Sequence, residues 1–406
     1  MKSAGWLRAC AFGLILASAA AMAQDRIPST DFAIPTQQPR VIPQPQTITP
    51  TQAQSPDANR CAKVDAAISA EARVAACGKL IESGKWNGKD IAWAYANRCI
   101  AFDRLGKIDN ALADCVKALS LDSDNVAALQ IRANILQGRG ETDKALADYD
   151  KAIALGASNA LVFVDRGNIW IAKGEADKAL ADFDRAVELN DKSAPIYLDR
   201  GSAWLAKGDA DKALADFDKA IEIAPNNVIA WTNRGDAAMA KGDKAKAAAD
   251  FKQALKLNPA NAYAALWLFL ARDGAAEAVT ELQAQAAKLP QDAWPWPVVQ
   301  YYLGVKDAQA MLAAAKTPGD QCEAQFYFGM ESLLKKANGE ALPYIRKAAE
   351  TCPKNFAEYF QAVSELKRLD AVAAPQGDKI PGAETAPAKD EAPQADAPKE
   401  SPAKPQ

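Results

Sequence analysis

The chain has 406 residues, and its 51 acidic and 48 basic side chains leave a formal charge of −3, without the concentrated basic surface that nucleic acid requires. It contains no histidine, which removes the commonest general base and the commonest nitrogen ligand for metals. No enzymatic activity and no cofactor are expected from this composition.

Lys2 and Arg8, the apolar run from Ala9 to Ala20 and the small-residue site Ala21-Met22-Ala23 form the pattern of a secretory signal peptide over residues 1–23. The run is too short to span a bilayer, so a soluble exported chain beginning at Gln24 is expected, with no transmembrane segment. Cys10 sits within the signal behind Leu7-Arg8-Ala9 and is not placed as a lipid-bearing cysteine. Cleavage leaves Cys61, Cys77, Cys99, Cys115, Cys322 and Cys352, an even set that points to disulfides in an exported chain while leaving several connectivities open. Cys61 and Cys77 are 16 residues apart, as are Cys99 and Cys115, a spacing that can set two residues side by side on the antiparallel helices of one hairpin.

Residues 24–57, which include Pro43-Gln44-Pro45-Gln46-Thr47, are expected as an extended, disordered leader, either a tether or an inert linker. Residues 58–91 are expected as an N-terminal helical cap. From there an arginine returns every 34 residues, at Arg98, Arg132, Arg166, Arg200 and Arg234, the mark of a repeat array whose units bury their apolar faces by stacking. Each unit reads as a helix, a tight Lys-Gly turn and a second helix, as in Trp170-Ile171-Ala172-Lys173-Gly174 and again in Trp204-Leu205-Ala206-Lys207-Gly208. Gly167, Gly201 and Gly235 on the first helices leave room for Phe183, Phe217 and Phe251 on the second, while Ala179, Ala186, Ala213 and Ala220 admit Phe163, Tyr197 and Trp231. Pro225 and Pro259 close their units.

Residues 262–321 form an atypical helical connector in which Trp294-Pro295-Trp296-Pro297 interrupts the pattern. Two readings stand for that motif: aromatic faces that stack on a sugar, or helix breakers whose tryptophans seal a junction. A degenerate unit with a terminal helix is expected over 322–370, through Gly329, Ala341, Ile345, Ala348 and Pro353. Cys322 and Cys352 stand near its two ends, which lie together in a helical hairpin. Residues 371–406 repeat Ala, Pro and charged residues and are expected as a disordered tail.

The order of aromatic, Gly, turn Gly, Ala, aromatic, Ala and Pro resembles the tetratricopeptide repeat, with five units at 92–125, 126–159, 160–193, 194–227 and 228–261. The fold this implies is all-α, a right-handed superhelical solenoid of helical hairpins. Cys99 and Cys115 hold the places of the small Gly and the aromatic in the first unit, so the resemblance implies that they touch. The segments Leu266-Trp267-Leu268-Phe269-Leu270-Ala271, Tyr302-Leu303-Gly304, Phe326-Tyr327-Phe328-Gly329 and Asn355-Phe356-Ala357-Glu358-Tyr359 are similar to an exported tetratricopeptide lipoprotein family. That family serves as an adaptor for envelope proteases and peptidoglycan hydrolases. The similarity implies a non-enzymatic periplasmic scaffold with envelope proteins as partners and a homodimer as one assembly, although this chain lacks the lipid-bearing cysteine. The alternative function is direct binding of peptidoglycan or a small ligand through the tryptophan motif.

Asp114, Asp148, Asp182, Asp216 and Asp250 recur with the arginines, either as a charged track for an anion or as paired residues that set register. The candidate partner groove is a second stripe on the first helices. It comprises Gln130, Asn134 and Gln137; Leu161, Val164, Asn168 and Ile171; Leu198, Ser202 and Leu205; and Ile229, Thr232, Asp236 and Met239. An apolar centre with polar neighbours suits an extended or helical peptide; the other reading is packing between adjacent helices. The charged clamp of some co-chaperones with this fold is absent, since its positions hold Ala96, Gln130, Val164, Leu198 and Thr232.

Overall fold

In the computed structural model of the protein, residues 55–62, 68–354 and 356–373 are described. Residues 1–54, 63–67, 355 and 374–406, which include the expected signal peptide and almost all of the expected leader and tail, lie outside them. Chain contacts separate a unit ending at Leu366 from a second unit beginning at Lys367; within the latter, the described residues are the last turns of one helix.

The described residues form helices joined in sequential hairpins. A short α1 (Pro56–Ala62) and α2 (Ala70–Glu82) precede α3 (Lys89–Arg104), which starts inside the segment expected as a cap. The repeat units pair α3 with α4 (Ile108–Leu121), α5 (Val126–Gly138) with α6 (Thr142–Ala154), and α7 (Ala160–Ala172) with α8 (Ala176–Leu189). They continue with α9 (Ala194–Lys207) and α10 (Ala210–Ile223), then α11 (Val228–Lys241) and α12 (Lys244–Leu257). After these come α13 (Ala262–Ala271), α14 (Ala276–Ala286), α15 (Trp296–Tyr302), α16 (Ala308–Ala314), α17 (Pro318–Leu334), α18 (Asn338–Thr351) and α19 (Ala357–Ala373). None of the described helices is long and apolar enough to cross a membrane.

Local chemistry sets the hairpin limits. Asn125, Asn227 and Asn261 cap first helices by accepting a backbone N–H in the opening turn, and Asp209 and Asp243 do the same for second helices. Gly208 and Gly242 end α9 and α11 at φ 85° and 84°, a conformation that a side chain would strain. α17 begins at Pro318, ahead of Cys322, because Thr317 and Asp320 form a reciprocal capping box.

Size complementarity holds each hairpin closed. A methyl group on Gly167 would stand 2.8 Å from the Phe183 ring, and one on Gly235 2.7 Å from that of Phe251, so the ring occupies the space a side chain would need. Phe183, Phe217 and Phe251 are fully buried. In the first unit the sulfurs of Cys99 and Cys115 lie 2.04 Å apart at those two places. Cys61 and Cys77 stand at 2.07 Å, and Cys322 and Cys352 have their α-carbons 5.1 Å apart in disulfide geometry.

Each repeat arginine grips the aspartate 16 residues on with two hydrogen bonds, as between Arg200 Nε and Nη2 and Asp216 at 2.9 and 2.7 Å. Arg166, Arg200 and Arg234 also donate to Asp150, Asp184 and Asp218 on the second helix of the preceding unit. The guanidinium therefore ties three helices together and fixes the register of the stack. With both carboxylates already engaged, the arginine ladder is a structural joint.

The buried residues fall into three clusters, one beneath α1 to α3, one spanning α3 to α9, and a third running from α9 to α19. The third is rich in aromatics: Trp267 packs between Phe251 and Phe326, and Tyr302 stacks on Phe269 at 4.7 Å.

Candidate functional site

On an α-helix each residue advances 100°, so side chains can be placed relative to the glycine that meets the second helix. Val164, Asn168 and Ile171 flank that contact, and the residue two places before the glycine lies about 200° away, pointing opposite the second helix. The latter position forms a row on the side of the first helices away from the second: Asn97, Ile131, Asp165, Asp199 and Asn233, all of them buried except the half-buried Asp165. Its residue types change from unit to unit, so it carries no repeat signature, and the stripe drawn from the sequence omits it. The available signal was the residue immediately before each periodic arginine.

The structure places the stripe residues unevenly. Val164, Asn168, Ile171, Leu198, Leu205, Met239, Thr232, Asp236 and Gln130 are buried. Asn134, Gln137, Leu161, Ser202 and Ile229 are half-buried. Several polar members are already engaged: Tyr149 donates its hydroxyl to Asn134 and to Gln137 Oε1, while Ser202 and Thr232 donate to the carbonyls of Leu198 and Val228 on their own helices. Leu161, Pro195 and Ile229, the second residue of three successive units, form a half-buried edge.

The opposite edge, where the first helices end, is covered by the chain itself. Ser364 on α19 donates its hydroxyl to the Ala240 carbonyl in the last turn of α11, at 3.1 Å. Lys354, in the corner before α19, brings its ammonium to 3.4 Å from where a Gly174 side chain would begin. Tyr359, Phe360 and Leu366 pack against the core cluster that contains Leu198, Leu205 and Met239. Thus Ser364 of α19 and Lys354 before it meet the turn-side ends of α11 and α7, a placement set by contacts more than a hundred residues apart.

Within that row Asp199 is 4 % exposed, Asn233 1 % and Asn168, one turn on from Asp165, 7 %. Asp199 Oδ2, Asn168 Oδ1 and Asn233 Oδ1 accept no hydrogen bond. Burial, reinforced by the charge of Asp165, pushes the Asp199 carboxyl well above its ordinary range.

The tryptophan motif is half-buried against the C-terminal core. Trp294 donates its indole N–H to Glu323 Oε2 at 2.6 Å, and Tyr263 donates to the same oxygen at 3.2 Å. Tyr327 donates to Glu358 Oε1 at 2.8 Å. Burial and the nearby Glu358 push Glu323 well above the usual carboxylate range.

Models of the tetratricopeptide repeat match residues 164–228 and 228–261. Among solved structures, the chain is similar to YrrB, described as a TPR protein with an unusual peptide-binding site, at 27% identity over 47% of this chain and 96% of that one, with a TM-score of 0.43. It is similar to the MamA protein at 26% identity over 41% and 91% of the two chains, TM-score 0.38. A tetratricopeptide repeat protein from Parabacteroides merdae matches at 22% identity over 58% and 91%, TM-score 0.42. No curated protein matches the chain. Residues 164–261 carry tetratricopeptide repeats, set in an all-α stack of helical hairpins.

Proposed function

We propose that the protein is an exported, non-enzymatic interaction scaffold of the bacterial cell envelope that holds partner proteins, among them proteases or cell-wall hydrolases, along its concave face. The observation that carries this reading is the contrast between two sets of residues on the same first helices. The arginine, glycine and turn residues recur unit after unit, while Leu161, Pro195 and Ile229 differ and the place before the arginine varies from Asn97 and Ile131 to Asp165, Asp199 and Asn233. A repeated frame with a varied concave face is how a helical solenoid displays a specific binding surface. The cysteine pairs at disulfide distance and the N-terminal signal pattern support the exported setting.

Affinity capture from envelope extract tests the reading. Leu161→Glu with Ile229→Glu changes half-buried positions and preserves the fold better than substituting the buried Leu198. Proteases or cell-wall hydrolases retained by the unaltered chain are expected to be lost by this folded variant. Equal recovery by both would remove the concave face as the partner site.

A further inference from the structure

The hairpin that follows the five repeats breaks the size and charge rules that build them. At the 34-residue interval, Leu268 stands in the place of the periodic arginine, Phe269 in that of the small glycine and Gln285 in that of the aromatic ring. A large residue at the glycine place leaves no seat for a ring from the next helix, and Gln285 instead donates its amide to the Pro259 carbonyl. Between α12, α13 and α14 lies a half-open cleft of about 240 Å³, floored by Leu255, Leu268, Phe269 and Leu282.

The charge changes at the same place. On α12, Lys252 stands where earlier units carry Asp150, Asp184 and Asp218, and Lys256 stands where they carry Glu188 and Glu222. Each of those aspartates receives the arginine of the following unit; with Leu268 in that arginine's place no guanidinium arrives, and an acidic rim becomes a basic one. Lys252 and Lys256 are exposed at the mouth of the cleft. Lys252 meets Glu281 at 3.4 Å, although Arg272 already donates to the same carboxylate at 2.9 Å, and Lys256 makes no ion pair among the described residues.

We propose that this cleft docks an acidic segment of a partner polypeptide, taking one large apolar side chain on its floor and the flanking carboxylates on Lys252 and Lys256. Sites for whole small molecules run to roughly 300–1,000 Å³, so this smaller cleft suits a single anchoring side chain of a larger partner. The two lysines select the sign of its neighbours, and a basic segment would bring like charge to the unanswered Lys256. The site stands apart from the first-helix edge of Leu161, Pro195 and Ile229 and goes beyond the concave-face reading.

The test measures binding to the purified full chain of fluorescently labelled short peptides with a central phenylalanine flanked by glutamate, glutamine or lysine. The glutamate peptide is expected to bind at least about tenfold more tightly than the glutamine peptide, and the lysine peptide more weakly than either. Replacing the central phenylalanine by alanine is expected to weaken the glutamate peptide by at least about tenfold. Lys252→Gln with Lys256→Gln changes exposed positions and is expected to erase the glutamate advantage with the thermal midpoint little altered. Lys178→Gln with Lys212→Gln changes the net charge equally on α8 and α10 and is expected to preserve that advantage. The proposal is overturned if the advantage survives loss of Lys252 and Lys256, falls equally with the second pair, persists undiminished in the alanine peptide, or is absent because no peptide binds. Leu161→Glu with Ile229→Glu is expected to leave these affinities unchanged; their loss in that variant would place the peptide on the concave face and overturn the cleft alone.

Discussion

The repeat array and the segment that follows it solve the same problem, burying acidic groups among packed helices, with opposite chemistry. From α3 to α12, the buried aspartate 16 residues after each repeat arginine is held by that arginine, and Arg166, Arg200 and Arg234 also link their unit to the one before. From α13 to α18 and the first turns of α19, the buried Glu323 and Glu358 receive hydrogen bonds from Trp294, Tyr263 and Tyr327 within an aromatic core. The first solution can be copied indefinitely because every unit supplies both partners. The second is made once, from residues distant in sequence, and closes the stack.

The largest expected effect tests the size-matching that the array relies on. Phe217→Ala removes a fully buried ring from against Gly201 and is expected to lower stability by about 4 kcal/mol in denaturant unfolding, since the cavity cannot collapse between regular helices. Reducing the Cys99–Cys115 pair takes away the covalent counterpart of that contact and is expected to cost about 3 kcal/mol. Mass mapping of unreduced peptides should recover Cys61 with Cys77, Cys99 with Cys115 and Cys322 with Cys352. Any other linkage removes the equivalence of bridge and ring.

Arg200→Ala leaves the buried Asp216 without its guanidinium and is expected to cost about 2 kcal/mol. In the C-terminal core, the corresponding lever is pH. Glu323 binds its proton more tightly in the folded state than in the unfolded chain. Stability is therefore favoured in acid and declines as pH rises above the ordinary carboxylate range toward neutrality. Thermal midpoints at about pH 5 and about pH 8 should show this decline, and Glu323→Gln should shrink it. An unchanged pH dependence in that variant would erase the chemical distinction between the two regions. At the small end, Lys207→Ala removes an exposed ion pair with Asp177 and should change stability by less than about 0.5 kcal/mol.

What the sequence made legible follows from this same contrast. The hairpin frame is spelled out by small and large residues at a constant interval, and the three cysteine pairs stand at positions that helical geometry brings together. The partner stripe was harder to read. Side chains such as Leu198 and Met239 sit on the expected helices, yet they are buried in one core cluster with the C-terminal helices, joined by contacts as distant as Ser364 with Ala240, which no local pattern announces. Asp199 escaped notice for a different reason: its position holds Asn97, Ile131, Asp165, Asp199 and Asn233 in turn, so it lacks the recurrence by which a repeat residue is recognised.

The bridge between Cys99 and Cys115 has a consequence for the way the molecule comes apart. A linear stack with only neighbour-to-neighbour contacts opens from its ends, where a unit has one companion instead of two. A covalent clasp in the first unit, with another between Cys61 and Cys77 just ahead of it, works like a stitched hem on a woven edge. Unravelling from that side must spread through material that is already sewn, and because Cys322 and Cys352 stitch the last hairpin as well, loss of order is directed toward the joints between them.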